Sequence, residues 1–483
     1  MNDWININVD TMYVKLQIDT MTNWSPNIDP AAGPKYQALV DALDRDIDAG
    51  ILPPGIRLPT QRQLATRLGV AIGTVSRAYA LAEQRGLLSG EVGRGTFVRR
   101  RESELQEGAN DEGDDPALLD LSKGRLVRDH RDPTLRRSLE ALSRRADLDR
   151  LVDFYQPAAG MARHRAAGAS WVARSGLEAD PDRVVITSGA QHGAAVVLAA
   201  IARPGDLVLT EEMTYAGIKA LASLLHLRLG GLPLDEHGLR SDAFEAACRS
   251  SDPRALFCMT NLQNPTGRTM PLARRREIAA IAVAHDVALV EDDVNGFLPA
   301  DPLPPLAQLA PAHTYYVTGT SKSLAPGLRI GYVVAPAHRV ERIAATIRAS
   351  TWLTSPILAE LVTGWIESGE AHEMVAWKRS ETAARHKLAV EILAPWLTPG
   401  PVSFHRWLPL PEPWRTETFV AQARARGVMV TPAEEFMVGR DSAPHAVRVC
   451  LGATLSRDRL EEGLRRVAGL LAQGPEPALA ISY

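Results

Sequence analysis

The sequence predicts an α/β protein with a second, smaller unit ahead of it. Three observations carry that prediction. From Leu121 onward, short apolar runs alternate with helical stretches, the pattern of a mainly parallel sheet with helices on both faces. Between Lys35 and Arg101, three short helical segments are followed by a two-run hairpin. Between these blocks, residues 102–120 lose all apolar periodicity and fill with acids. A chain of 483 residues also exceeds one ordinary domain.

Composition narrows the class. Hydrophobic residues make up 45% and charged residues 23%, enough for a sizeable core. The net charge of -3 excludes a polyelectrolyte, although a local basic region is still open. Cys248, Cys258 and Cys450 are too scattered for a metal or redox pair and fit a reducing compartment. No leader or membrane-spanning run is visible, so a cytoplasmic, nucleoid-associated protein is expected. Residues 1–33 hold Pro26, Asp29 and Pro30 and no periodicity, as in a flexible arm, and either Met1 or Met21 suits as the start.

The first unit, residues 34–101, opens with Leu39, Val40, Leu43 and Ile47 at helical spacing, stopped by Gly50. A second helix runs Gln61 to Leu68 behind Thr60 as N-cap, and a third from about Ile72 to Arg85. Two apolar runs around Gly93-Arg94-Gly95 form a hairpin. Helices joined tightly by Gly69-Val70 and then a hairpin make a winged helix-turn-helix pattern, or a small helical cap on an enzyme. Charge separates the two. One lysine and ten arginines face six acids between Lys35 and Arg101, a net +5 inside a chain of net -3. Four of those acids lie on the first helix, leaving Arg57, Arg62, Arg67, Arg77 and Arg94 as a basic face suited to phosphates. The segments from Gly55 to Ala65, Leu68-Gly69-Val70, Thr74 to Ala78 and Gly93 to Val98 resemble the GntR-type winged-helix domain. The resemblance implies double-stranded DNA as partner, with Arg57, Thr60, Arg62, Thr74 and Arg77 on the duplex and Gly93, Arg94 and Gly95 in the minor groove. Ala71-Ile72-Gly73-Thr74 departs from the longer donors usual at the recognition-helix start.

The acidic run 102–120 is expected to be a flexible linker, spanning roughly 20–25 Å. The large unit then occupies 121–475, with 476–483 as a tail.

In that unit, Val184 to Thr187 is a strand, and Ser188-Gly189-Ala190-Gln191 leads into an apolar helix from Ala194 to Ala202. Such a turn aims free N–H groups and a helix dipole at an anion, although many α/β turns look so. Further strands are Leu207 to Thr210, Ala255 to Met259, Val287 to Val290 and Thr314 to Val317. Tyr215 follows the first of these, Asn264-Pro265-Thr266-Gly267 the second, Glu291-Asp292-Asp293 the third, and Thr320-Ser321-Lys322-Ser323 the fourth. A lysine amine can form a Schiff base with an aldehyde. Neighbouring hydroxyls and Arg329 would hold a phosphate dianion. A solvated loop is the alternative. Helices are expected from Ala337 to Arg348 and from Pro356 to about Leu393. Arg448 lies inside the apolar strand Val447 to Gly452, where it needs an anion or a buried ion pair.

The form Ser-Lys-x-x-x-Pro-Gly-x-Arg-x-Gly resembles the lysine segment of fold-type I aminotransferases, which bind pyridoxal 5'-phosphate. The resemblance implies the fold-type I aminotransferase-like architecture and a role for each residue. Lys322 carries the cofactor, and Ser188, Gly189, Ala190, Gln191, Thr320 and Arg329 hold its phosphate. Tyr215 stacks on the ring, Asn264 bonds its 3'-oxygen, and Asp292 faces the ring nitrogen. Arg448 takes a substrate or effector carboxylate. Tyr155, five residues before Gly160, reaches the neighbouring subunit's phosphate, which implies a homodimer. Val294 and Asn295 stand where relatives carry a tyrosine. Together the two halves resemble the MocR subfamily of GntR-type transcription regulators. That implies a regulator responding to an amine, an amino acid or the cofactor, with a working aminotransferase as the competing reading.

Overall fold

The structure is a computed structural model, and it describes residues 24–26, 34–48, 51–52, 56–85, 87–91, 95–98, 118–124, 134–439, 442–454 and 456–475. The expected wing residues Gly93 and Arg94, the linker before residue 118, the tail and most of the N-terminal arm lie outside the described residues. The chain divides into two compact units, Met1–Gln106 and Glu107–Tyr483.

In the first unit, helices Lys35–Asp48, Gln61–Leu68 and Ile72–Gln84 precede strands β1 (Leu88–Glu91) and β2 (Gly95–Val98), which pair antiparallel. The helix-turn-helix forms for local reasons. The Thr60 hydroxyl accepts from the Gln63 N–H while the Gln63 side chain returns to Thr60, and Gly69 ends the helix in the left-handed region at φ 63°. Leu39, Leu43, Leu64, Val75, Tyr79 and Val98 close the core. Trp24 departs from the expectation of a loose arm. Its ring is buried in this core and its Nε1 donates to Asp46 at 2.8 Å.

The second unit opens with β3 (Leu119–Asp120). Then come β4 (Val184–Thr187), β5 (Leu207–Glu211), β6 (Arg228–Leu232), the short hairpin β7 (Leu234–Asp235) and β8 (Gly238–Leu239), β9 (Ala255–Cys258), β10 (Ala288–Asp292), β11 (Thr314–Gly319) and β12 (Gly331–Val334). The seven-stranded sheet runs β4-β12-β11-β10-β9-β5-β6. Its members are parallel except β12, which lies antiparallel between β4 and β11. Helices cover both faces, as Val197 and Ile343 on one side and Trp171 and Trp365 on the other record. A smaller C-terminal subdomain holds β13 (His405–Pro409), β14 (Val428–Met429), β15 (Thr431–Pro432) and β16 (Ala446–Cys450). The helix Arg457–Gln473 packs Leu460, Leu464 and Val467 into its core.

Several boundaries shift from the sequence expectation. The helix after β4 starts at Ala190, so Ala190 and Gln191 form its first turn. Gly369, at φ 91°, breaks the long C-terminal helical region into Pro356–Ser368 and Glu370–Leu393. A short 3-10 turn, Ala337–Arg339, precedes the helix Val340–Ser350. The end of the acidic run is not linker: β3 pairs in parallel with β14, and Leu119, Leu121 and Asp120 are buried. An acidic neighbourhood masked one core leucine, Leu119.

β12 and the turn after β4 meet at two glycines. A Cβ on Gly331 would lie 2.6 Å from the Gly189 carbonyl carbon and 2.7 Å from Thr187 Oγ1. Backbone atoms cannot yield there. Gly331→Ala is therefore expected to cost about 1–3 kcal/mol in urea unfolding and to lower phosphate-cofactor loading with it.

Candidate cofactor and ligand site

The site gathers at the C-terminal ends of the large sheet's parallel strands, joined by residues from the smaller sheet. β11 delivers Lys322 on the one-turn helix Thr320–Ser323. Its amine contacts the Gly124 carbonyl, and Phe404's ring centre lies 5.9 Å away. A second, buried lysine, Lys378, donates to the Lys322 carbonyl at 3.0 Å and pins its backbone.

The candidate anion cradle is the turn after β4. Gly189, at φ 91°, caps the helix Ala190–Ile201 with no side chain in the way. Arg329 spans it, donating to the Ser188 carbonyl at 3.4 Å and to Ser321 Oγ at 3.2 Å. A Cβ on Gly189 would meet that guanidinium at 2.8 Å. Gln191 binds the Gly217 carbonyl at 3.1 Å, beside Tyr215. Thr320 differs from expectation: it is fully buried and its hydroxyl donates to the Ile330 carbonyl at 3.0 Å, so Ser321 is the hydroxyl beside Arg329.

Asp292 ends β10 nearly buried, and its Oδ1 accepts from the Val294 N–H at 3.3 Å. Burial pushes its carboxyl up to about 7, against the pull of the Lys322 cation. Behind it lie further acids to which sequence reasoning gave no role. Glu211 accepts from the Met259 N–H at 2.8 Å and from the Thr210 and Thr214 hydroxyls. Glu291 accepts from Thr260 at 2.7 Å, and Asp293 from Tyr316 at 2.7 Å and Asn261 at 2.9 Å. Fully buried Arg275 closes the network on Asn261 Oδ1 at 2.6 Å. Glu211 stands at a strand end as Asp292 does, so the same signal marks it. Arg275 gives none, because it sits in an ordinary charged helix.

Arg448 donates through Nη1 to Asn264 Oδ1 at 2.7 Å and through Nη2 to the Ser122 carbonyl at 2.9 Å, its guanidinium 4.7 Å from the Phe436 ring centre. Asn264 precedes a cis proline. Asn295 ties the Asp292 loop to the Asn264 loop by donating to the Leu262 carbonyl at 2.9 Å. His405 is buried against the Gln263 carbonyl at 3.2 Å; burial and then Arg448 push its imidazole down to about 3. Tyr155 alone stands apart, 82% exposed and tilted against Trp352 at 5.4 Å.

These residues fit a phosphate-bearing pyridine aldehyde: an N–H and guanidinium cradle, an amine, and a buried acid opposed to a cation. In the first unit, Arg57, Thr60, Arg62 and Arg77 are exposed and Thr74 is half-buried. Arg77 lies over the Tyr36 ring at 4.3 Å, and Gly95 opens β2.

Comparison with known proteins agrees with both halves. Residues 116–467 match the aminotransferase class I and II family, and residues 35–98 match the gntR family of bacterial regulatory proteins. The uncharacterized HTH-type transcriptional regulator YdeF of Bacillus subtilis (strain 168) is 32% identical over 93% of this chain and 97% of its own. The HTH-type pyridoxine biosynthesis transcriptional regulator PdxR of Corynebacterium glutamicum is 31% identical over 64% of this chain and 68% of its own. The solved structure of LysN, an alpha-aminoadipate aminotransferase from Thermus thermophilus, superposes with a TM-score of 0.67 at 24% identity, over 74% of this chain and 93% of that one. The chain belongs to the HTH-type transcriptional regulators of the MocR type, which join a GntR-type domain to an aminotransferase class I/II domain. Pyridoxal phosphate is the cofactor this family and this cradle imply.

The buried acids carry a pH signature. Burial raises Glu211, Glu291 and Asp292 to about 7. The folded chain thus holds protons that the unfolded chain releases. Their contribution is full below about pH 4 and lost as pH rises toward 7. In the cofactor-free protein, Glu211→Gln is expected to flatten this fall, read from urea unfolding at a series of pH values.

Proposed function

We propose that the large unit senses an amine or amino acid on pyridoxal phosphate held by Lys322, and that this controls DNA binding by the first unit near its own or an adjacent gene. The observation that carries the reading is the pairing, in one chain, of residues that fit a cofactor cradle with a helix-turn-helix bearing an exposed basic face. When bound, the cofactor supplies an aldehyde to the lysine amine and an electron sink. The chain's own residues do the rest. Asp292 opposes the ring nitrogen, Arg329 and the turn Ser188 to Gln191 hold the phosphate, Tyr215 covers the ring, and Arg448 takes the ligand's carboxylate. Ligand and DNA affinity are coupled only insofar as the ligand binds two arrangements unequally.

A homodimer completes the reading. Phe154, Tyr155 and Trp352 leave an apolar patch, their exposures 64%, 82% and 52%. A second copy covering it would take Tyr155 to its own phosphate. The protein works in the cytoplasm, on the nucleoid. A second reading, transamination with turnover, is favoured by the intact Lys322 and Asp292 pair.

The test is binding of the purified protein to DNA upstream of its own and neighbouring genes, with and without pyridoxal phosphate and a panel of amines and amino acids. Specific binding that changes with ligand and loses that response in Lys322→Ala is expected. No specific binding at modest salt would sink the sensor reading, and a donor–acceptor screen would then test the aminotransferase. Arg77→Ala is expected to weaken all DNA sequences alike and to reduce the salt slope by about 1.

A further inference from the structure

The cofactor lysine has a second lysine behind it. Lys322 sits in a helix of four residues, Thr320–Ser323, too short to satisfy its own last carbonyl groups. Lys378, on the helix Glu370–Leu393, donates its amine to the Lys322 carbonyl at 3.0 Å. A cation at the last carbonyls of a helix is a favourable cap. The bond is made to the main chain, so it persists when the Lys322 amine is joined to an aldehyde.

The place is a costly one for a charge. Lys378 is 3% exposed, and a buried ammonium is penalised unless polar groups receive it. The acid one turn along its helix, Glu381, is shared by Arg385 at 2.7 Å and Arg457 at 2.5 Å. Phe404, Leu451 and Gly452 line the same small hollow as Lys378 and Glu381. An apolar residue of similar length would cost less there, so a cation in this place points to a use for its charge. Three groups face Lys322 from other elements. Asp292 on β10 presents a carboxyl, Arg448 on β16 a guanidinium, and His405 on β13 an imidazole that burial keeps neutral. The two lysine nitrogens are separated by no more than one hydrogen bond and the length of Lys322 itself.

We infer that Lys378 is a positioning residue for the cofactor lysine: it fixes the main chain from which the Lys322 amine reaches, and its charge favours the neutral form of the nitrogen that joins Lys322 to the cofactor. The inference rests on the reading of Lys322 as the cofactor lysine. Its consequence is for ligand entry. An amino acid arrives with its amine protonated. A neutral joining nitrogen takes that proton, and the freed amine can then attack the carbon of the link with its lone pair. The bond from that carbon to the Lys322 nitrogen breaks, Lys322 leaves as a neutral amine, and the proton stays on the new link. A unit charge about 10 Å away inside a protein shifts such a protonation equilibrium about tenfold.

The test uses the full-length protein loaded with pyridoxal phosphate. Two quantities are read in wild type, Lys378→Arg, Lys378→Gln and Lys378→Met: the pH midpoint of the cofactor's absorbance change, and the Kd for the cofactor. Loss of a nearby positive charge stabilises the protonated nitrogen, so Lys378→Met is expected to raise the midpoint by about one pH unit. Losing the hydrogen bond as well, it is expected to weaken cofactor binding about 5–10-fold. Lys378→Gln keeps an N–H donor without the charge and is expected to raise the midpoint as far, with a smaller loss of affinity. Lys378→Arg keeps both and is expected to hold the wild-type midpoint. A midpoint unmoved or lowered in Lys378→Gln and Lys378→Met, or raised as far in Lys378→Arg, overturns the inference, because a residue that only packs behaves so. Where Lys378→Met does not fold, the midpoint of Lys378→Gln decides. A wild-type absorbance that matches Lys322→Ala at every pH overturns the Lys322 reading and the inference with it.

Discussion

No side chain fits where the turn after β4 meets β12, and the rest of the site depends on that contact. Gly189 and Gly331 bring two backbones together with Arg329 across the gap. The approach places the first N–H groups of the helix Ala190–Ile201 beside the segment that carries Lys322. β12 runs against its neighbours because it returns from that segment directly into the sheet. The turn proposed to cradle a phosphate and the segment that carries Lys322 thus come from chain stretches over a hundred residues apart, registered by two missing Cβ atoms.

Burial of charge is the second organising term. Glu211, Glu291, Asp292 and Asp293 all lie inside the same layer, and each is hydrogen-bonded. Isolated carboxylates there would be prohibitive. Shared donors from Thr260, Asn261, Tyr316 and Arg275 make the layer tolerable and rigid. The network also sets the loops bearing Asn264 and Asp292 at fixed separation. A different solution serves Glu360, buried on the helix Pro356–Ser368, which bonds buried His164 and two guanidinium groups, Arg145 and Arg163. There the His164 bond, followed by the arginines, pulls the carboxyl down to about 2.

Much of this was legible from local pattern. Lys322, Arg329 and Asp292 sit in short segments whose chemistry is self-contained, and the strand–turn–helix around Gly189 follows from small residues after an apolar run. The helix-turn-helix was equally local, since Thr60, Gln63 and Gly69 act within one turn of themselves. What escaped was contact at long sequence distance. Lys378 reaches Lys322 across 56 residues, and Arg448 reaches Ser122 across 326. No periodicity records such pairs. Thr320 was misplaced for another reason: adjacent hydroxyls on a single helical turn point to different neighbours, and only the fold decides which one the backbone claims. Trp24 and Leu119 were hidden by composition, the first among polar residues and the second at the end of an acidic run.

The two-residue strand β3 has a consequence for where the large unit can be cut. It supplies β14 with its hydrogen-bonding partner and fills part of the C-terminal core with Leu119. A shortened protein beginning after Asp120, where the acidic composition ends, would leave Val428 and Met429 as a bare edge above an unfilled hollow. Open strand edges of that kind recruit one another. The aminotransferase-like half is therefore a sound freestanding body only if its amino end includes the last residues of what looks like its tether.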